Sequence, residues 1–334
     1  MGNPTVHTKL LSLLLLVSLF GCQTRNRKEM VENKSNPLLC NPEKGFCEVP
    51  ANVGSGIMPT QPVAKKLKVI YFTDPICSAC WGIEPQLRKL KLEYGKYIDL
   101  EYHMGGLLPD WSYNSGGISK PSDVAHHWDE VSQYYDMPID GDVWLEDPLP
   151  SSYPPSIAFK AAEIQDGEKA LLFLREAREM VFLQKKNITK WEYLSQAADR
   201  AGLNLEQFKA DYEGKAKALF EEDLRMAREM GVRGFPTLFF VEEDKREIVY
   251  GVRPYSGIEA VVKKLAPEAV KATYNTSAEG VFAIYPTLTA KEFSELTGTP
   301  RGKAEGVLDE MTNKGSLEKW TTKNGAIWMS KASE

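Results

Sequence analysis

The sequence predicts a mixed α/β chain in which one small sheet is interrupted by a long helical block. Three observations carry this. An apolar, β-branched run at 67–73 leads through a turn into a helix and a second strand. The signal is then helical from Ser156 to Met230, and afterwards two β runs and a helix return. A length of 334 residues allows about two domains. A hydrophobic share of 43% is ample for a packed core and excludes wholesale disorder. The net charge of −5 argues against a dedicated nucleic-acid binder, which needs a basic face.

The first residues read as an address. Lys9 precedes an apolar stretch from Leu10 to Phe20, followed by Gly21 and Cys22. Such a stretch is shorter than the ~18–20 residues that span a bilayer and has the shape of a secretory signal. Leu19-Phe20-Gly21-Cys22 resembles a bacterial lipobox, with Phe20 bulkier than usual, so residues 1–21 are expected to be a lipoprotein signal and Cys22 the lipidated residue. An ordinary cleaved signal, or a buried N-terminal helix, is the alternative. Acyl chains would anchor the protein in the membrane of the cell envelope, facing the periplasm. Residues 22–62 then form a polar tether. Four cysteines remain, in two close pairs, Cys40/Cys47 and Cys77/Cys80.

Leu67 to Thr73 is bounded by Asp74-Pro75 and reads as a buried strand. A helix is predicted from the cysteine pair through Leu87, Leu90 and Tyr94 to Gly95, with Pro85 able to bend it. Residues 97–103 alternate as a second strand, and 107–155 read as irregular structure with short helices. Thr189…Glu192, Asn204…Gln207 and Ser256…Glu259 look like capping boxes. Ala197, Ala201, Phe208, Tyr212, Leu219, Phe220 and Leu224 supply apolar helix faces, read as core. Thr237–Val241 and Glu247–Tyr250 flank a four-residue turn and predict a hairpin. A helix ending near Leu265 follows.

Asp74-Pro75-Ile76-Cys77-Ser78-Ala79-Cys80-Trp81 sets a C-x-x-C at a strand-to-helix junction. On a first helical turn this spacing brings both sulfurs within bonding reach, and the helix N-terminus favours the first thiolate. Cys77 is thus expected to be the exposed nucleophile and Cys80 the buried resolving partner. Gly231-Val232-Arg233-Gly234-Phe235-Pro236-Thr237 leads into a strand. In thioredoxin-like folds such a proline is cis and sits against the cysteines, which makes Pro236 and Phe235 candidate substrate-binding residues. A structural disulfide or half of a zinc site would use the same spacing. Zinc needs four ligands, and only Cys40, Cys47 and four scattered histidines could complete it, so neither metal nor cofactor is expected.

These residues, with Ser151-Ser152-Tyr153-Pro154, resemble the DsbA family of thioredoxin-like proteins, in the branch holding FrnE and the YjbH (SpxH) adaptors. The resemblance covers about 65–268. It implies a thioredoxin-like fold with a helical insertion and thiol–disulfide exchange with cysteine-containing client proteins, recharged by a redox partner protein. The implied halves are 63–113 and 231–268, with the insertion at 114–230. Strong oxidases of the family carry a histidine where Ala79 stands, so a milder oxidant is expected; oxidase, isomerase and reductase stay open. The same branch implies an alternative, an adaptor that hands a client to a protease without redox turnover.

Other candidates are open. Cys40 and Cys47 flank a turn and could form a local clip of about 2–3 kcal/mol, exchange with the main pair, or bind metal. His126-His127-Trp128 reads as packing or surface more than as a metal cluster. Asp74 could tune the cysteines or cap the helix, with the cap favoured, and Trp111, Trp128 and Trp144 could line a groove or pack. The tail, 269–334, shows helix, turn, helix and a hairpin turning at Lys323-Asn324-Gly325, a winged-helix outline. From Thr287 onward it carries seven basic and seven acidic residues, which gives little attraction for phosphate, so it reads as an interaction module.

Overall fold

The computed structural model describes residues 67–112 and 118–331, with the backbone of two short strands at 40–41 and 46–47. Those strands, β1 (Cys40–Asn41) and β2 (Phe46–Cys47), pair antiparallel with Cys40 opposite Cys47. They belong to a separate unit, 1–62. A bond between these two cysteines, and the signal and lipidation at Cys22, lie outside the described residues.

In the second unit, β3 (Leu67–Thr73) runs into α1 (Ser78–Gly82), α2 (Glu84–Tyr94) and β4 (Ile98–Met104). Strands β3 and β4 are parallel. The helical insertion comprises α3 (Pro121–Tyr135), α4 (Val143–Glu146), α5 (Tyr153–Gln165), α6 (Gly167–Leu183), α7 (Trp191–Arg200), α8 (Leu205–Glu213) and α9 (Lys215–Glu229). The chain then returns as β5 (Thr237–Glu242), β6 (Lys245–Tyr250) and α10 (Tyr255–Leu265). The sheet order is β4-β3-β5-β6. Its alternating side chains bury Val69, Tyr71, Leu238 and Phe240 against α2 and α10 on one face. Ile70, Phe72 and Phe239 meet Ala227 of α9 on the other. This is the thioredoxin-like fold with its helical insertion.

The tail adds α11 (Ala278–Ile284), β7 (Thr287–Thr289), α12 (Ala290–Thr297), α13 (Arg301–Asn313), β8 (Leu317–Thr322) and β9 (Gly325–Ser330). Its sheet, ordered β7-β9-β8, closes a small core around Phe293, Leu308 and Trp328. That is a winged-helix arrangement. The tip of its wing faces inward: Lys323 reaches Asp129 at 2.6 Å and Asp142 at 2.8 Å, and Asn324 donates to Asp129 and to the Ile139 carbonyl.

Several local expectations are corrected. The helix expected from the cysteine pair to Gly95 is two helices, because Pro85 has no N–H to donate to Trp81 and the chain restarts after Ile83. The irregular region contains a 15-residue helix, α3, opened by Pro121 and an Asp123 that accepts from Ser119 and Lys120 N–H groups. Thr189 caps nothing, since its N–H and hydroxyl both turn to Asn187 and the helix begins at Trp191. Ser256 is already inside α10, and Glu259 serves Tyr94 and Lys263 instead. Asn204 does accept the Gln207 N–H, but the Gln207 amide turns forward to Asp211. The central hairpin turns in two residues, with Glu243 at positive φ.

Candidate functional site

The site is built where β3 ends. The Asp74 carbonyl accepts the Cys77 N–H at 3.2 Å, and Cys77 becomes the N-cap of α1. Cys77 and Cys80 form a disulfide with Cα atoms 5.1 Å apart. The Cys77 Sγ accepts the Cys80 N–H at 3.1 Å. Cys80 is fully buried, as expected, but Cys77 is only 3% exposed and so is not the open nucleophile the spacing suggests. Bonding to Cys80 and capping the helix both turn its sulfur inward.

Asp74 is a tether rather than the helix cap. Its Oδ1 accepts the Ile76 N–H at 3.0 Å. Its Oδ2 accepts the Leu107 N–H at 2.7 Å and the Ser152 hydroxyl at 2.8 Å. Ser152 in turn accepts the Leu108 N–H at 3.0 Å and donates its own N–H to the Leu108 carbonyl. One buried carboxylate thereby ties the cysteine turn, the loop after β4 and the start of α5 together. Burial pushes its pKa up to about 6, against the pull of the Leu107, Ile76 and Ser152 donors and of Arg178.

Beneath the turn lies Arg178, wholly buried in α6. It donates to Thr73 Oγ1 at 2.7 Å and pairs with Glu84 at the start of α2. Arg88, one turn further along α2, reaches Glu292 at 3.3 Å and the Thr287 carbonyl at 2.9 Å. Arg175 of α6 holds both oxygens of Glu292, at 2.8 and 3.1 Å. Burial alone would raise the Glu292 pKa, but Arg175 and Arg88 outweigh it and hold the carboxyl below its ordinary value. A buried charge cluster therefore joins α2, the insertion and the tail. Nothing in the sequence order flags this, because its members lie up to 208 positions apart (84 to 292). Only Thr289…Glu292, a true capping box, is locally legible.

The Phe235-Pro236 bond is cis. The β3–β5 register sets Thr237 opposite Phe72, so Pro236 stands beside the end of β3 that continues to Asp74 and Cys77. The Pro236 carbonyl accepts the Gly251 N–H at 2.9 Å. The Phe235 ring lies over Gly105, where a Cβ would fall 2.0 Å from it. Trp111, Trp144 and Trp128 meet edge to face and continue through Phe182 to Trp81, so they are packing. His126 and His127 are exposed on α3, and His126 pairs with Glu130. No group of three His, Cys, Asp or Glu side chains among the described residues is placed to hold a metal.

A family model described as Thioredoxin matches residues 71–261. The ClpXP adapter protein SpxH of Halalkalibacterium halodurans is 35% identical over 305 residues, spanning 89% of this chain and 97% of that protein. The SpxH of Bacillus subtilis is 30% identical over 273 residues, spanning 80% and 90%. Among solved structures, a candidate protein disulfide isomerase from Nitrosomonas europaea has a TM-score of 0.54 at 20% identity, covering 61% of this chain and 99% of its own. The cytosolic disulfide reductase DsbM from Pseudomonas aeruginosa has a TM-score of 0.50 at 23% identity, covering 59% and 100%.

Proposed function

We propose a client-binding adapter function, from the premise that this chain belongs to the thioredoxin-like family that contains the SpxH adapters. The protein binds a client at the face of Cys77, Cys80 and Pro236 and presents it to a protease such as ClpXP, the partner named for its relatives. One observation carries this reading. The likeness to the SpxH proteins runs over about four-fifths to nine-tenths of the chain, whereas the disulfide-exchange folds account for about three-fifths of it. The chain also carries a tail cemented to α2 through Arg88, Arg175 and Glu292.

A second reading, thiol–disulfide exchange, is favoured by the disulfide at a helix N-cap. In it, a client thiolate attacks the Cys77 sulfur, the Cys77–Cys80 bond breaks, and Cys80 leaves as a thiolate and takes up a proton. A second client thiolate then displaces Cys77, so the client gains a disulfide and the pair is reduced. Acylation at Cys22 would favour this reading, because a lipid anchor would carry the chain into the envelope. Labelled palmitate on the wild type and on Cys22→Ala decides the compartment.

Purified chain and its Cys77→Ser variant, compared in client degradation by ClpXP and in insulin reduction, separate the two. An adapter accelerates degradation with either cysteine state, without turning insulin over. Insulin turnover that disappears in Cys77→Ser, with no effect on degradation, overturns the adapter reading.

A further inference from the structure

A cleft of about 580 Å³ opens beside the joint of α1 and α2. It is bounded by all three parts of the second unit: Gln86 of the active-site helix, Tyr134 and Tyr135 of the insertion, Arg253 and Tyr255 near α10, and Lys291 of the tail. None of these positions is used by the disulfide or by the buried charge cluster. Three features describe what would fill it.

Gln86 is 6% exposed, and its Oε1 is buried without a hydrogen-bond partner among the described residues. A buried acceptor left unmade costs about 1–3 kcal/mol, so this wall of the cleft is suited to an N–H donor. Second, the two cations of the lining are without an ion pair, although the lining holds as many carboxylates. The two carboxylates lining the cleft are engaged: Glu295 pairs with Lys89, and Glu259 with Lys263, Lys271 and the Tyr94 hydroxyl. Arg253 donates to the Tyr250 carbonyl but has no ion pair, and Lys291 has none either, among the described residues. Third, the tyrosines give rigid apolar faces with polar tips, the type of surface enriched in recognition sites. Tyr134 is 81% exposed at the rim. Tyr135 closes against α1 because Gly82 has no side chain; a Cβ there would fall 2.7 Å from the ring.

We propose that this cleft is the docking site for an extended acidic segment of the client protein. A carboxylate of the segment meets Arg253 and Lys291, a backbone or side-chain N–H is accepted by Gln86, and an apolar side chain rests on Tyr134. The inference deepens the adapter reading and rests on it for the identity of the ligand as a client. It also gives the tail a recognition role, because without Lys291 the cleft loses one wall and one of its two unpaired cations.

The test pans the full chain against a phage library of random dodecapeptides and measures the selected peptides, fluorescein-labelled, by anisotropy. The selected sequences should be enriched in Asp and Glu beside an aliphatic or aromatic residue, and their binding should weaken as salt rises. Arg253→Glu with Lys291→Glu should weaken binding about tenfold or more. Both are surface positions, so the rate at which dithiothreitol reduces the Cys77–Cys80 bond should be unchanged and serves as the folding control. Gln86→Met should weaken binding severalfold. Selection of peptides without acidic enrichment, selection of none, or full binding by the charge-reversed variant overturns the proposal. Client degradation that persists in the charge-reversed variant would refute the cleft and spare the adapter reading. Peptide binding at the cleft with no client delivery would do the reverse.

Discussion

The guanidinium of Arg175 lies over the ring of Trp81, 4.4 Å from its centroid, while its nitrogens hold Glu292 of the tail. Trp81 follows Cys80 directly and donates its indole N–H to the Pro138 carbonyl. One arginine thus touches the cysteine turn on one side and the winged-helix tail on the other. The tail is part of the site's support, not an appendage.

Removing Glu292 tests that support. The side chain has no exposure, and its loss would leave Arg175 with Glu179 alone and Arg88 with the more distant Glu84 alone. Glu292→Gln is expected to cost about 3–5 kcal/mol, read from urea unfolding. The pH dependence has a defined sign. Because the folded-state pKa lies below the ordinary 4.5, this stability is present above that pH and is lost as pH falls through the folded value. A wild-type acid limb that survives unchanged in the variant would assign the effect elsewhere.

Asp74 has the opposite sign. Its pKa is pushed from 3.8 to about 6, so the native state keeps the proton to higher pH than the unfolded chain does. Its contribution is full below about pH 4 and is lost as pH rises to about 6, on the order of 3 kcal/mol. Asp74→Asn should abolish this slope while leaving one acceptor oxygen where the Ile76 and Leu107 N–H groups now have two. Identical stability-versus-pH curves for variant and wild type between pH 4 and 6 would contradict the assignment.

After reduction, Cys77 should be alkylated before Cys80. Cys77 caps α1, whereas Cys80 is wholly enclosed. Brief iodoacetamide treatment at pH 6–7 with mass mapping reads the order, and preferential labelling of Cys80 would reverse the roles.

Gly105→Ala should displace the Phe235 ring, since the new methyl would fall 2.0 Å from it. Overpacking of this kind costs about 1–3 kcal/mol. Because Phe235 precedes Pro236, capture of client protein should fall more than stability does. Normal capture, measured by pull-down, would separate Phe235 from the binding face.

The sequence by itself determined the strand–helix–strand opening, the helical insertion, the returning hairpin and the winged-helix outline of the tail. Apolar periodicity of 2 or 3.6 residues and turn chemistry are local, so they are written in neighbouring residues. It also singled out Cys77, Cys80 and Pro236, whose spacing and context are equally local. Where local rules competed with tertiary partners, the partners won: Thr189 turned to Asn187, Glu259 to Tyr94, and the Cys77 sulfur inward. Only the tertiary structure decided that Asp74 ties three segments together, that Arg178, Arg175 and Glu292 join three parts of the chain, and that Gln86, Arg253 and Lys291 bound one cleft. A charge in a sequence is read as surface by default. Whether it is buried depends on a partner brought to it by the fold, and no pattern along the chain records that meeting.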